Sequence, residues 1–341
     1  MIYMSKKEYF SIKFSNDKLI FLDQTKIPFE ENYVETDSYE RIAEAIERLE
    51  IRGAPLIGIS AAYGLSLAVK NADGKDIEKL FESAYQRLQR TRPTAVNLFF
   101  ALDEIKNVFV QNKSSKELYS ILLEKSKQLH FEDADKCRKI GENGLNIFNK
   151  KSRILTHCNT GKLATGGDGT AFNVIKKGFE NNLVEHVYAD ETRPLLQGLR
   201  LTAFELEHSG IPFSIQTDSM AASLMKENKV DFVVVGADRI ALNGDTANKI
   251  GTLSLAILCG HYEIPFYVAA PTTTIDRKLV SGDDIIIEQR GKEEILKINN
   301  VRIAPDNYET YSPAFDVTPS HLITGIITED GIYSFPYNFI K

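Results

Sequence analysis

The sequence has no pair of cysteines at metal or redox spacing. Cys137, Cys158 and Cys259 stand far apart, which argues against CxxC chemistry, a disulfide framework and a structural zinc site. Its six histidines are scattered, with no HxxxH or HExxH pair. Basic residues are not in excess: 41 Lys and Arg stand against 47 Asp and Glu, a net charge of −6, so a nucleic-acid partner is not expected. No apolar stretch approaches the roughly 20 residues that span a bilayer. The start, Met1 to Glu8, lacks the apolar segment of a secretory signal. These absences lead us to expect a cytoplasmic protein with no membrane partner. Internal repeats and low-complexity segments are also missing. What is present is ordinary for a globular chain, with 43% hydrophobic and 26% charged residues, and 341 residues suffice for two domains.

Residues 8–35 alternate apolar and polar, the pattern of short antiparallel strands. Helical spacing follows over 38–50, where Ile42, Ala45, Ile46 and Leu49 recur, and over 76–91, 95–111 and 115–150. Between them Leu56 to Val69 is apolar nearly all round, as in a helix buried on most sides. Past residue 150 the pattern becomes a regular alternation. Strand-like runs at 153–157, 186–190, 213–217, 231–236 and 264–269 are separated by helical stretches at 169–180, 194–209, 219–227 and 247–261. Such spacing predicts βαβ units and a parallel sheet. The expected architecture is therefore α/β: a mainly helical N-terminal domain with a short antiparallel sheet over 1–130, and a parallel-sheet domain over 131–341.

Each strand-like run ends in polar residues, and open α/β sheets bind ligands at the carboxyl ends of their strands. Cys158 follows Ile154-Leu155-Thr156-His157, and Asp238 follows Val233-Val234-Val235-Gly236-Ala237. A lone cysteine is usually a buried structural thiol. The position of Cys158 at a strand end, beside the glycine-rich loop Gly161–Thr170, points instead to a reactive thiol near an anion. That loop fits neither GxxxxGK[ST] nor GxGxxG, so it supports phosphate or sugar binding rather than a nucleotide. His157 neighbours Cys158 along a strand and so points to the opposite face, as a packed residue. The apolar run before Asp238 implies poor solvation, which raises a carboxyl pKa and suits a general acid. Asn248 and Lys249, in a turn before an apolar helix, read as ligand contacts if Asp238 is catalytic. Arg52 and Arg92 each stand in a turn before a helix, and a guanidinium matches phosphate oxygens.

The motifs Ile51-Arg-Gly-Ala-Pro, Arg92-Pro-Thr-Ala, Thr156-His-Cys-Asn, Glu191-Thr-Arg-Pro-Leu-Leu-Gln-Gly, Asp218-Ser-Met-Ala-Ala, Gly236-Ala-Asp-Arg and Asn243-Gly-Asp-Thr-Ala-Asn-Lys-Ile-Gly-Thr occur in order through nearly the whole chain. In them the chain resembles the methylthioribose-1-phosphate isomerases. The resemblance implies a Rossmann-like C-terminal domain, a homodimer, and no metal or nucleotide cofactor. It implies that Cys158 and Asp238 are catalytic, and that Arg52, Gly53, Ala54, Arg92, Gln197, Asn248 and Lys249 contact substrate. Three other readings stay open: a 5-deoxyribose 1-phosphate isomerase, a ribose-1,5-bisphosphate isomerase, and a non-catalytic subunit related to the translation-initiation nucleotide-exchange factor. The chain departs from the usual family wording at Asp168, where an aromatic residue is common, at Phe204, where tryptophan is common, and at Thr318-Pro319-Ser320-His321. Those positions bear on the group at C5 of the sugar.

The chemistry implied is an aldose-to-ketose isomerisation in S-methyl-5-thioribose 1-phosphate. Phosphate on the C1 oxygen blocks the ring opening that a free sugar performs, so the ring oxygen needs an acid, and hydrogen must pass from C2 to C1. Asp238 fits the acid. Cys158 fits either a base at C2 or a group that stabilises charge during a hydride shift.

Overall fold

A computed structural model describes residues 8–72, 76–92, 95–298, 301–337 and 339, so Pro93 and Thr94 of the Arg92 motif lie outside the described residues. The chain forms two compact units, one of residues 1–138 with 161–169 and one of 139–160 with 170–341. The division falls at 138/139, within a single helix described below, where 130/131 was expected, and it assigns 161–169 to the first unit.

In the first unit, β1 (Ile12–Ser15), β2 (Lys18–Leu22) and β3 (Tyr33–Thr36) form an antiparallel sheet in that order. Four helices follow: α1 (Tyr39–Glu47), α2 (Ala54–Lys70), α3 (Ile77–Gln89) and α4 (Val96–Asn112). Ser38 caps α1 by accepting the Arg41 N–H, and Asp76 caps α3 by accepting from Glu78 and Lys79. α2 is buried on almost every side, as its continuous apolar sequence demands, and forms the centre of this unit's core with Ile42, Ile46, Phe81, Leu98 and Leu102. Gly58 permits that packing, since a Cβ there would lie 2.5 Å from the Asn97 carbonyl oxygen at the start of α4. The long α5 (Leu118–Gly144) was expected to reach residue 150; it ends at Gly144, followed by one 3-10 turn over Leu145–Ile147.

The second unit is built on a seven-stranded sheet. Its parallel strands are β4 (Ser152–His157), β5 (Val184–Glu191), β6 (Phe213–Thr217), β7 (Phe232–Val235), β10 (Phe266–Ala269) and β14 (Gly325–Thr328); β15 (Gly331–Ser334) adds an antiparallel edge. The order is β15-β14-β10-β7-β4-β5-β6. From central β4 the chain builds outward through β5 to β6, then returns to β7 on the other side of β4. The strand order therefore reverses between β4 and β7, which makes their carboxyl ends the topological switch point where open α/β sheets bind ligands. α6 (Ala171–Glu180), α7 (Ala203–His208), α8 (Ala221–Lys226) and α9 (Thr252–Tyr262) supply the connections. Two apolar clusters form the core of this unit, one around Val233, Val235, Leu255 and Val268, the other around Ile154, Val174, Val187 and Val234. The alternation of strand residues between the clusters follows from the period of two along β7.

Two sequence expectations are corrected. The stretch 247–261 was expected to be helical throughout, but β9 (Thr246–Lys249) occupies its start and pairs with β8 (Arg239–Ile240) and β13 (Phe315–Thr318). Gly251, at φ 103°, then turns the chain into α9. Likewise 194–209 is not one α-helix: a π-helical turn over Gly198–Thr202 precedes α7. A further segment carries α10 (Glu293–Leu296), β11 (Lys297–Ile298) and β12 (Val301–Arg302).

Candidate functional site

Cys158 follows the last residue of β4, and Asp238 stands three residues beyond β7. The two strands pair in parallel, Ile154 with Phe232 and Leu155 with Val233, and the Thr156 hydroxyl donates to the Val234 carbonyl at 2.8 Å. Both groups are thus delivered to adjacent strand ends at the switch point. Cys158 is half-buried, is not in a disulfide, and adopts φ 61°, a left-handed conformation rare for a side chain with a Cβ. Asp238 is half-buried, and its N–H donates to the Ala247 carbonyl at 2.9 Å, which fixes the Gly236-Ala237-Asp238 turn to β9. Beside it, Arg239 Nε lies 3.9 Å from Asp276 Oδ2.

Asn248 and Lys249 are buried on β9. Asn248 Nδ2 donates to Thr252 Oγ1 at 3.0 Å; Lys249 Nζ donates to the Ala314 carbonyl at 3.0 Å and sits 4.6 Å from the centre of the Phe315 ring. A carbonyl acceptor and a ring face both favour an ammonium and fix the position of this side chain. Gln197 directly precedes the π-helical turn; it is buried, with its Oε1 lacking a hydrogen-bond partner.

Contacts beneath these residues gather the strand ends. Gly236 admits Thr160, whose Cγ2 would be 2.6 Å from a Cβ there. His157, fully buried, donates through Nε2 to the Ile250 carbonyl at 2.9 Å, and its Nδ1 lies 3.7 Å from Asp190 Oδ2. His157 is the packed residue expected from its strand position. Asp190 accepts from Gln216 at 2.8 Å, and burial pushes its carboxyl pKa up, an effect that His157 and Gln216 oppose. Burial also raises the Asp316 carboxyl, against the N–H groups of Gly251 and Leu253 that donate to it at 2.8 and 3.1 Å. Thr192 donates to Asp218 at 3.1 Å. Asp190 belongs to the polar strand ends expected from sequence, whereas Asp316 and Thr192 are brought here by the fold.

In the first unit, Arg52, Gly53 and Ala54 form the entry to α2, and Arg92 precedes α4. Gly53 stands at φ 88°, and a Cβ there would meet Ala164 at 2.5 Å, so both conformation and space demand glycine. The N-terminal halves of α2 and α4 pack closely at Gly58 and Asn97. Helix N-termini and arginine forks both favour a phosphate.

In the Gly161–Gly169 loop, read from sequence as a phosphate or sugar site, one glycine amide and three carbonyls are held within the first unit. Gly166 donates its N–H to Asp133 at 2.7 Å and accepts from His130 Nε2 at 3.1 Å; His130 Nδ1 is 3.2 Å from the Tyr63 hydroxyl. Gln24 donates to the Leu163 carbonyl at 2.7 Å and Ser11 to that of Thr165 at 3.3 Å. An amide committed to a carboxylate is closed to a phosphate. The loop's glycines serve close packing instead: a Cβ at Gly167 would lie 2.7 Å from Ala134 of α5. Asp168 pairs with Lys162 at 3.2 Å. Phe204 is buried on α7 with its ring 4.0 Å from that of His208.

The nine residues expected at the site thus fall into two sets: Arg52, Gly53, Ala54 and Arg92 in the first unit, and Cys158, Gln197, Asp238, Asn248 and Lys249 in the second. Among the described residues no group of three His, Cys, Asp or Glu side chains is arranged to hold a metal ion.

Comparison with known proteins places these features in context. The model of the Initiation factor 2 subunit family matches residues 50–334. A protein of Caldicellulosiruptor saccharolyticus named methylthioribose-1-phosphate isomerase is 51% identical over 329 residues, covering 95% of this chain and 96% of its own. A namesake from Carboxydothermus hydrogenoformans is 50% identical over 325 residues, 94% of this chain and 95% of its own. Among solved structures, 5-methylthioribose 1-phosphate isomerase from Pyrococcus horikoshii OT3 superposes with a TM-score of 0.91 at 39% identity, covering 98% of this chain and 96% of that one. A structure from A. fulgidus described as translation initiation factor eIF-2B, subunit delta, gives 0.86 at 39% identity, with 97% of each chain covered.

Proposed function

Because the chain belongs to the Initiation factor 2 subunit family, and to the part of it whose members are named methylthioribose-1-phosphate isomerase, we propose that it converts S-methyl-5-thioribose 1-phosphate to the corresponding ribulose 1-phosphate. The observation that carries this reading is the delivery of Cys158 and Asp238 to neighbouring parallel strand ends at the switch point.

In this reading Asp238 protonates the ring oxygen as the C1–O bond of the furanose opens, which leaves an open-chain sugar with phosphate still on O1. Hydrogen then passes from C2 to C1. Cys158, as thiolate, either takes the C2 proton to give an enol phosphate and returns it to C1, or stabilises charge while hydride moves directly from C2 to C1; in both routes the C2 hydroxyl gives its proton back to the Asp238 carboxylate as the ketone forms. In the first unit, Arg52, Arg92 and the α2 entry at Gly53 and Ala54 have the chemistry to bind a phosphate; in the second, Gln197, Asn248 and Lys249 have the chemistry to bind a sugar. The reaction proceeds without metal or nucleotide cofactor, in the cytoplasm, and in a homodimer.

The test is turnover of methylthioribose 1-phosphate, 5-deoxyribose 1-phosphate and ribose 1,5-bisphosphate in the presence of chelator, with ketose followed by NMR. We expect the first two to react and the bisphosphate to react poorly. A preference for the bisphosphate would move the protein to that branch. No turnover of any of the three by folded protein would favour the non-catalytic reading, for which the likeness to the A. fulgidus structure is the specific support.

A further inference from the structure

The main chain at Cys158 is held by a buried polar network that the reaction chemistry does not use. Cys158 is one of few non-glycine residues with positive φ, and the only one of these that bears a candidate catalytic group among the described residues. A left-handed residue with a Cβ persists only where its surroundings over-determine it. Here the Cys158 carbonyl accepts from Thr202 Oγ1 at 2.5 Å. Asn159 Nδ2 donates to Thr202 Oγ1 at 3.3 Å and to Glu205 Oε2 at 2.5 Å. Asn159, Thr202 and Glu205 are all buried, Glu205 completely.

A carboxylate with no exposure is costly to keep and serves no purpose in packing an apolar helix. Its place in the chain is also informative. Thr202 closes the π-helical turn Gly198–Thr202, and Glu205 lies one turn on in α7, so both side chains share a helix face. π-turns are rare and concentrate at functional sites. This one brings Gly198 so close to β5 that a Cβ would overlap the Asp190 carbonyl oxygen at 1.8 Å. The same turn carries Gln197 at its start.

We propose that Thr202 and Glu205 are positioning residues: through Asn159 they lock the turn at Cys158 in its left-handed form, so that the thiol is presented at the strand ends in one orientation. Glu205 orients the Asn159 amide, the amide holds the Thr202 hydroxyl, and the hydroxyl holds the Cys158 carbonyl. This inference rests on the isomerase reading for its catalytic consequence, but the geometry it asserts can be tested without that reading.

Two measurements are made on Thr202→Val, Thr202→Ser, Glu205→Leu and Glu205→Gln. The first is the rate of Cys158 alkylation by iodoacetamide in folded protein, with the site of modification identified by mass spectrometry. Cys137 and Cys259 are buried, with burial pushing the Cys259 thiol up to about 12 and Cys137 further still, so Cys158 is the thiol that reacts. The second is kcat and KM for methylthioribose 1-phosphate. Thr202→Val keeps the side-chain shape and removes the donor. It should change the alkylation rate several-fold and lower kcat by about 10- to 100-fold with KM little altered, in the manner of a misplaced reacting group. Thr202→Ser restores the donor and should return both values to within about threefold of the parent. Glu205→Gln retains an acceptor for Asn159 and should resemble the parent, whereas Glu205→Leu should resemble Thr202→Val. Unchanged alkylation and kcat in Thr202→Val, or a Thr202→Ser protein as impaired as the valine variant, would overturn the proposal. If the unmodified protein turns over none of the substrates, the isomerase reading fails and the alkylation series alone decides whether the lock exists.

Discussion

At the scale of single residues, Cys158 and Asp238 carry the proposed reaction. Each sits half-buried at the end of a central parallel strand, where the fold presents groups to a ligand without placing them in the core. Cys158→Ser and Asp238→Asn keep size and hydrogen bonding while removing the thiol and the ionisable acid. We expect each to lower kcat by roughly 10²–10⁴ while fold and substrate affinity hold, the range for loss of an acid–base group. Circular dichroism and steady-state kinetics on the purified variants check this, and near-parental kcat in either variant removes that residue from the mechanism. The two residues were legible from sequence because an apolar run followed by small residues and a reactive group is a local pattern. Glu205 was not. Its only sequence signal is a carboxylate four residues after Leu201 on the same face of an apolar helical stretch, and that signal acquires meaning only when Asn159 and Thr202 are seen beside it.

Among secondary-structure elements, the loop after β4 shows how composition misleads. Four glycines ahead of a helix read as an anion site, yet several of the loop's backbone groups are bound by α5 and by residues around the first sheet. His130 is central to that clamp. With Nε2 donating to Gly166, its Nδ1 accepts from Tyr63, an arrangement that requires the neutral ring. Burial depresses the imidazole pKa, and the Gly166 carbonyl offsets this only in part. As pH falls through about 6.5 the unfolded chain takes up this proton before the folded one does, so the folded state loses stability. The contribution is complete above that pH and shrinks below it, by at most about 1.4 kcal/mol per pH unit for one proton. Thermal unfolding between pH 7.5 and 5.5 should therefore show a steeper fall for the parent than for His130→Gln. Parallel pH profiles would mean that His130 does not titrate against the clamp. The strand β9 is the other element that sequence missed. Thr246–Lys249 lacks the apolar alternation of a strand because its side chains are spent on hydrogen bonds, and its partner β13 lies far along the chain.

For the whole molecule, the open question of assembly has a structural lead. β6 is the outer strand of the seven-stranded sheet, and Ile215 on it is 40% exposed. Leu199 and Met220, on the segments before and after it, are 43% and 53% exposed. Large apolar side chains beside an unpaired sheet edge are the surface that a self-association covers. If the proposed homodimer uses this surface, Ile215→Lys combined with Met220→Glu should halve the mass seen by light scattering after gel filtration, with secondary structure intact. A double variant that stays dimeric would place the interface elsewhere, and a monomeric parent would remove the dimer.

Local physics determined much of this protein from sequence alone. Hydrophobic periodicity located α1 to α5 and the five strands β4, β5, β6, β7 and β10, because burial on one or both faces imposes a period that composition records. Turn chemistry after β4 and β7 marked Cys158 and Asp238, and the order of motifs identified the family. Tertiary structure alone decided what depends on contacts between distant segments. It decided that β4 and β7 are neighbours, which brings Cys158 and Asp238 to adjacent strand ends. It also committed the Gly166 amide to Asp133 and bound the Cys158 carbonyl to a hydroxyl more than forty positions away. Hydrogen bonds and close packing are pairwise and short-ranged in space, not in sequence, so no window along the chain contains both partners until the fold brings them together.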